Sequence, residues 1–217
     1  MKNIKGSLSF SIYCLAVLWL VMIINQILGL SLNQYGIVPR HISVVNFMGI
    51  LFAPFIHANF QHLISNSIPL LVLLTALMFY YPKLAKKTIV LSILFGGILL
   101  WLFGREASHI GASGLIFSLI GFLIFNVFFR RDWKSLLVSL IVFFFYGGTI
   151  LGIFPGSPHI SWEGHLFGFL VGITLAFVFR KQDAKGFPYY IYPLIAGFFI
   201  KSQLHIEYVF QNILHLL

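Results

Sequence analysis

Six long apolar runs, almost free of charge, constrain the fold of this chain more than any other feature. An α-helix rises ~1.5 Å per residue, so about 20 residues are needed to cross a ~30 Å hydrocarbon core. The runs reach or approach that length and cover residues 8–30, 62–81, 88–103, 111–129, 135–154 and 162–179. Only 9% of the 217 residues are charged. The sequence therefore predicts an all-α membrane protein with a bundle of six transmembrane helices, in which the short third run extends into its flanks.

The chain is expected to form one membrane domain, residues 1–186, followed by a hydrophobic tail, residues 187–217. The tail contains a further apolar stretch, 187–200, which is shorter than the others and carries two prolines. A stretch of this kind is more typical of an interfacial or packed segment, or a short extra helix, than of a full span. Whether it crosses the membrane is left open by the sequence.

The net charge of +9 sets orientation and does not indicate a nucleic-acid partner. Eleven of the fourteen basic residues lie before the first run or just after the second, fourth and sixth runs. Cytoplasmic loops of membrane proteins carry such an excess of Lys and Arg. The N-terminus is therefore predicted to be cytoplasmic, and the second, fourth and sixth runs to begin at the outer surface.

The long connection between the first two runs, residues 31–61, lies on the outer side in this topology. It contains Pro39, Pro54 and an amphipathic stretch, 42–52. We expect a surface helix resting on lipid headgroups within a long first outer loop. Connections of this length are uncommon without a function, such as shaping access to a site.

Polar side chains occur near the outer ends of three runs that begin on the same side. Ser113 opens the fourth run, His165 the sixth, and His62 and Asn66 the second. His62 and Asn66 are four residues apart and share one helix face. Polar groups inside a membrane are costly and are functional candidates by default. The four side chains are therefore predicted to meet in one water-accessible cavity.

Two rows of small residues favour close packing of the fourth and sixth helices. They are Gly114, Ser118 and Gly121 in the fourth run, and Gly164, Gly168 and Gly172 in the sixth. If the two rows face each other, Ser113 and His165 come within hydrogen-bonding reach.

The chemistry that these residue types support is nucleophilic catalysis by a serine–histidine dyad. A neutral His165 can take the proton of the Ser113 hydroxyl, and Phe117, one turn further on, is a candidate to stack on the imidazole. His62, Asn66 and backbone N–H groups at the start of the fourth helix can stabilise an oxyanion. The acidic residue nearest to His165, Glu163, lies at the boundary of its run, and we expect packing to hold the ring. His109 and His159 are interpreted as outer-loop surface residues.

These residues resemble the rhomboid family of intramembrane serine proteases. The family's His-xxxx-His-xxx-Asn pattern matches residues 57–66, Gly-x-Ser-Gly opens the fourth run at Gly111, and His-xx-Gly-xxx-Gly begins at His165. A lone Gly-x-Ser-Gly is weak in a chain with 19 glycines, whereas three patterns in order are specific.

The resemblance implies Ser113 as nucleophile, His165 as base, His62 and Asn66 as oxyanion donors, and His57 as a structural residue of the outer loop. It also implies cleavage of transmembrane protein substrates near the outer surface of a bacterial plasma membrane, with the lipid bilayer as environment and without metal or cofactor. The oligomeric state is not predicted. Two departures stand out: Arg40-His41 replaces the Trp-Arg pair of many members, and Phe117 replaces a tyrosine frequent in bacterial members.

Three other classes of protein fit these residues less well. A metalloprotease could use His57, His62 and His165, but the sequence has no His-Glu-xx-His motif. Transporters usually show broken helices in repeated halves, which are absent from this sequence. A non-proteolytic membrane chaperone or scaffold on the rhomboid fold remains the alternative, although such relatives typically lack the serine or the histidine.

Overall fold

Seven α-helices run through the described residues, 4–157 and 160–182, of the computed structural model, and these ranges contain no β-strand. The helices are α1 (Ile4–Leu28), α2 (Val44–Phe52), α3 (Phe60–Tyr80), α4 (Pro82–Phe103), α5 (Ser113–Arg130), α6 (Trp133–Tyr146) and α7 (Trp162–Val178). Three 3-10 segments join them: Leu32–Tyr35, Ala53–Phe55 and Gly147–Ile153. The prediction of an all-helical fold is confirmed.

Five stretches are long and apolar enough to cross a membrane: α1, α3, α4, α5, and α6 together with the 3-10 segment that follows it. The third predicted run does extend into its flank, because α4 begins at Pro82. Proline suits the first turn of a helix, where its missing N–H would have no partner. The sixth run coincides with α7, a shorter apolar helix of 17 residues, so the total of six crossings stays a prediction. The predicted tail, 187–217, lies outside the described residues.

Helix α5 forms the centre of the bundle and packs against α3, α4, α6 and α7. It is buried along most of its length, whereas the other candidate spans bury at most a third of theirs. Helix α1 packs on α3, and α2 packs on α4. The apolar side chains of α1 and α4 that face away from α5 suit contact with lipid, and the candidate residue Ser113 lies at one end of α5.

The long connection between α1 and α3 is folded onto the rest of the bundle. Its backbone is joined to the α4–α5 connection by a two-residue antiparallel bridge between Ile37 and His109, with N···O distances of 3.0 and 2.9 Å. Arg40 donates from Nη1 to the Gly104 carbonyl at 2.8 Å, and Trp101 donates from Nε1 to the His41 carbonyl at 3.1 Å. A tryptophan from α4 thus contacts the Arg40-His41 pair, although the loop itself lacks one.

The two ends of the bundle differ in chemistry. We call the ends of α3, α5 and α7 near Asn66, Ser113 and His165 the site ends, and the opposite ends the basic ends. At the basic ends, the buried Arg130 lies 3.4 Å from the Asp132 carboxylate and donates to the Phe179 carbonyl at 3.2 Å and to the Gln182 carbonyl. One guanidinium therefore joins the ends of α5, α6 and α7.

Candidate active site

Ser113 is the first residue of α5, and the glycine two positions before it allows the chain to approach α3 closely. Gly111 has φ +110°, a conformation that L side chains rarely adopt. A Cβ atom there would lie 2.6 Å from Cε1 and 2.8 Å from Nε2 of His62, and 3.6 Å from Nδ2 of Asn66. The segment leading to Ser113 therefore runs directly against both side chains that the sequence singled out on α3.

His57 connects the start of α5 to Asn66 from within the first long connection. Its Nε2 lies 3.4 Å from the Ala112 amide nitrogen and 3.1 Å from Nδ2 of Asn66. A backbone N–H can only donate, so Nε2 accepts and the ring is neutral. The residue is 2% exposed. Burial, with a smaller effect of the nearby His62, lowers the pKa of His57 to about 4, which keeps the ring neutral at physiological pH.

His165 lies in the first turn of α7 and is held by two contacts. Its Nδ1 is 2.9 Å from the Gly152 carbonyl oxygen, and its ring stacks on Phe117 with a centroid separation of 4.1 Å and an interplanar angle of 6°. A carbonyl can only accept, so the hydrogen is on Nδ1 and, in the neutral ring, Nε2 carries the lone pair. This is the tautomer that a general base needs.

The small residues of α5 and α7 meet along one line. A Cβ atom on Gly168 would collide with the Gly114 carbonyl, and one on Gly172 would collide with the Ser118 carbonyl. A Cβ atom on Gly114 would lie 3.3 Å from the Gly164 carbonyl oxygen. Only glycine permits this approach, which brings the first turn of α5, with Ser113, against the first turn of α7, with His165.

A cavity of about 50 Å³ adjoins Ser113 on the side of α2 and α4. Its polar lining comes from Ser92, His109, Ser113 and Ser161, and its small lining residues include Gly97. The space exceeds the ~10–15 Å³ that one water molecule requires in this measure. The space beside Ser113 is therefore large enough to hold water.

The interpretation of His109 as a surface residue is wrong. The residue is 3% exposed, and both ring nitrogens are bonded inside the protein: Nδ1 lies 2.6 Å from Ser161 Oγ and Nε2 lies 3.0 Å from the Arg105 carbonyl. Burial lowers the pKa of His109. His159 lies outside the described residues.

Two features of the site had no signal in the sequence. The acceptor that orients His165 is a backbone carbonyl, that of Gly152, in the 3-10 segment after α6. Glu163, next to the dyad in sequence, is buried, and its Oε1 lies 3.6 Å from Nε of Arg105. Within the described residues, no three His, Cys, Asp or Glu side chains lie close enough together to hold a metal ion.

Comparison with known proteins identifies the family. The model of the Rhomboid domain matches residues 45–182, which include every candidate site residue. The chain belongs to the rhomboid family. With its apolar helices, this rhomboid is a multi-pass membrane protein.

Bacterial proteins are similar to this rhomboid over most of its length. Uncharacterized proteins of Mycobacterium tuberculosis (strain ATCC 25618 / H37Rv) and Mycobacterium leprae (strain TN) are 38% identical over 181 and 183 residues. These alignments cover 78% and 79% of this rhomboid, and 74% and 70% of the two relatives. A Bacillus subtilis (strain 168) protein, YdcA, provisionally named a rhomboid protease, is 28% identical over 141 residues, which are 60% of this chain and 66% of that protein.

Proposed function

We propose that this rhomboid is an intramembrane serine endopeptidase in which Ser113 is the nucleophile and His165 the general base. The observation that carries the proposal is the arrangement around His165: Gly152 accepts from Nδ1, Phe117 stacks on the ring, and Nε2 is left as the basic atom. No carboxylate is needed, because the carbonyl fixes the tautomer.

The reaction follows from the roles of these groups. His165 Nε2 takes the Ser113 hydroxyl proton while Oγ attacks the carbonyl carbon of the scissile peptide bond. The tetrahedral intermediate collapses, the C–N bond breaks, and the leaving amine receives the proton from His165. Water, deprotonated by His165, then hydrolyses the acyl ester and regenerates Ser113.

His62 and Asn66 are proposed as donors to the oxyanion of the tetrahedral intermediate. Both lie against Gly111, beside the backbone that leads to Ser113. The amide groups in the first turn of α5 add the positive end of the helix dipole. The proposed substrates are transmembrane segments of other proteins, cleaved near the outer surface of a bacterial plasma membrane. The N-terminus is then cytoplasmic, with six helices crossing.

The test is a cleavage assay in liposomes with a single-span model substrate, comparing wild type with Ser113→Ala and His165→Ala. We expect cleavage by wild type alone, with all three proteins equally folded. The matched control is Ser108→Ala, which removes an exposed outer hydroxyl, bonded to the Asn33 carbonyl at 3.1 Å, and leaves the proposed dyad intact. Equal cleavage by all variants would locate the activity elsewhere. No cleavage by wild type on a panel of substrates, with no labelling by a serine-directed fluorophosphonate, would favour a non-proteolytic scaffold.

His62→Ala and Asn66→Ala separate the oxyanion role from the dyad. Loss of one oxyanion donor typically costs about 10²–10³-fold in kcat. A kcat that stays at the wild-type value in both variants would refute this role while leaving the dyad in place.

A further inference from the structure

The two segments that deliver Ser113 and His165 are joined by one side-chain hydrogen bond. His109 lies four residues before Ser113, and Ser161 lies four residues before His165. His109 Nδ1 and Ser161 Oγ are 2.6 Å apart, and both residues border the cavity beside Ser113. Because the two bonded residues lie four positions before Ser113 and His165, the bond is well placed to fix the distance between Ser113 and His165.

The proton positions in this bond follow from its neighbours. The Arg105 carbonyl, 3.0 Å from His109 Nε2, can only accept, so Nε2 carries the hydrogen. In the neutral ring, Nδ1 then accepts from the Ser161 hydroxyl. The Ser161 oxygen keeps lone pairs to accept from the Gly164 amide, 3.3 Å away, as the N-cap of α7. Every donor thus has an acceptor, which is the condition under which a buried polar group stabilises one geometry.

Each end of the bond is held to a different part of the protein. The His109 backbone forms the antiparallel bridge with Ile37 in the first long connection. On the other side, Arg105 donates from Nη2 to the Ile160 carbonyl at 2.8 Å and pairs with Glu163 at 3.6 Å, so it contacts residues on both sides of Ser161. The α4–α5 connection therefore contacts the start of α7 at three nearby positions, Ile160, Ser161 and Glu163.

We propose that the His109–Ser161 hydrogen bond sets the position of His165 relative to Ser113, so that His109 and Ser161 are positioning residues of this rhomboid. The inference rests on the proposed function for its effect on catalysis. Neither residue belongs to the motifs that identify the family, and neither needs to contact substrate. A displacement of about 1 Å within a catalytic pair can cost on the order of 10²-fold in rate, so a single bond can have a large effect here.

The experiment measures kcat, KM and the rate of fluorophosphonate labelling of Ser113 for His109→Phe and Ser161→Ala. His109→Phe keeps a ring of similar bulk without a polar atom, and it leaves Ser161 free to cap α7. We expect kcat and the labelling rate to fall roughly 10–100-fold, with KM within about twofold. Normalisation to the final extent of labelling removes any contribution from unfolded protein, and Ser108→Ala is the control for the loss of an outer hydrogen bond.

Two further comparisons distinguish positioning from a general loss of packing. Ser161→Thr retains a hydroxyl and His109→Asn retains an acceptor near the site of Nδ1, so both should recover most of kcat. The double variant His109→Phe/Ser161→Ala should be no slower than the slower single variant, because both changes remove the same bond. Additive losses, or single variants equal to Ser108→Ala, would overturn the proposal.

The ¹⁵N chemical shifts of the His109 ring test the bond independently of activity. At neutral pH we expect a neutral ring protonated on Nε2, with the Nδ1 shift changed by Ser161→Ala. A charged ring, or a hydrogen on Nδ1, would contradict the bond even if wild type cleaves substrate. Conversely, a wild type without cleavage or labelling would refute the proposed function, and the ring shifts would still decide whether the bond exists.

Discussion

The site ends and the basic ends of α5 and α7 are held together by different kinds of interaction. At the site ends, backbone meets backbone through glycine, the His57 ring is neutral, and the Gly152 carbonyl accepts from His165 Nδ1. At the basic ends, a buried guanidinium, Arg130, faces the Asp132 carboxylate and two carbonyls. The site ends also carry a charged pair, Arg105 and Glu163, so the two ends differ in the close backbone approach through glycine and not simply in the presence of charge. This close approach suits the proton transfer proposed between Ser113 and His165.

The difference between the two ends is tested most strongly by removing the charge of Arg130 at the basic ends. Arg130→Met should destabilise the protein by about 3–5 kcal/mol, because Asp132 would remain as a buried charge without its partner. The free energy of unfolding in mixed micelles checks this. Arg180→Met is the control, since Arg180 is half-buried and donates to the Phe177 carbonyl. The kcat per folded molecule should stay within about threefold of wild type. A specific loss of kcat would show that the two ends are not independent.

A methyl group added at the site ends should lower kcat strongly and stability only moderately. Gly168→Ala places Cβ against the Gly114 carbonyl, so α7 must move away from Ser113. We expect kcat to fall about 100-fold and stability to fall by about 1–3 kcal/mol. Gly148→Ala is the matched control, because nothing lies within 4 Å of the added atom. Wild-type activity in Gly168→Ala would mean that the close approach of the helices does not position the dyad.

Acidification should weaken the site ends through His57. The folded-state pKa of His57, about 4, is below the unfolded value near 6.5. The contribution of the neutral ring to the stability of the folded state is therefore complete above pH 6.5 and is lost as the pH falls through 4. The difference in unfolding free energy between wild type and His57→Gln should change by about 3 kcal/mol across this window. His57→Gln retains an acceptor and does not titrate. A constant difference would contradict the buried neutral ring.

The smallest effect is expected from Gly152→Ala. The added Cβ would lie 2.9 Å from Cζ of Phe117 and 3.4 Å from Nδ1 of His165, so the stacked pair must shift slightly. We expect kcat to fall roughly tenfold with stability changed by less than about 1 kcal/mol. Gly156→Ala, where the nearest atom is 4.0 Å away, serves as control. Equal kcat values for Gly152→Ala and Gly156→Ala would show that the space beside Gly152 does not affect the orientation of His165.

The sequence was most informative where a pattern repeats. Long apolar runs predicted the helical fold, and the spacing of Gly164, Gly168 and Gly172 predicted a close contact because glycine rows have few other uses inside a membrane. The stacking of Phe117 on His165 followed from helical spacing. The proposed catalytic roles remain predictions, since they concern chemistry and not placement.

The sequence was least informative where a bond depends on backbone paths. The bridge between Ile37 and His109 joins two loops without periodicity, and the burial of His109 follows from it. Polar residues in loops usually lie at the surface, so the sequence predicts an exposed side chain for a histidine in such a loop. Likewise, no residue type in the sequence predicts that the Gly152 carbonyl faces His165.

That carbonyl has an evolutionary consequence. An orienting aspartate can be lost through one codon change, whereas a main-chain oxygen is present whichever amino acid occupies position 152. Selection at this position acts on the space that a side chain would occupy and not on the acceptor itself. A scan of side-chain replacements would therefore underestimate its role, and only a backbone amide-to-ester exchange, which weakens that acceptor, would measure it directly.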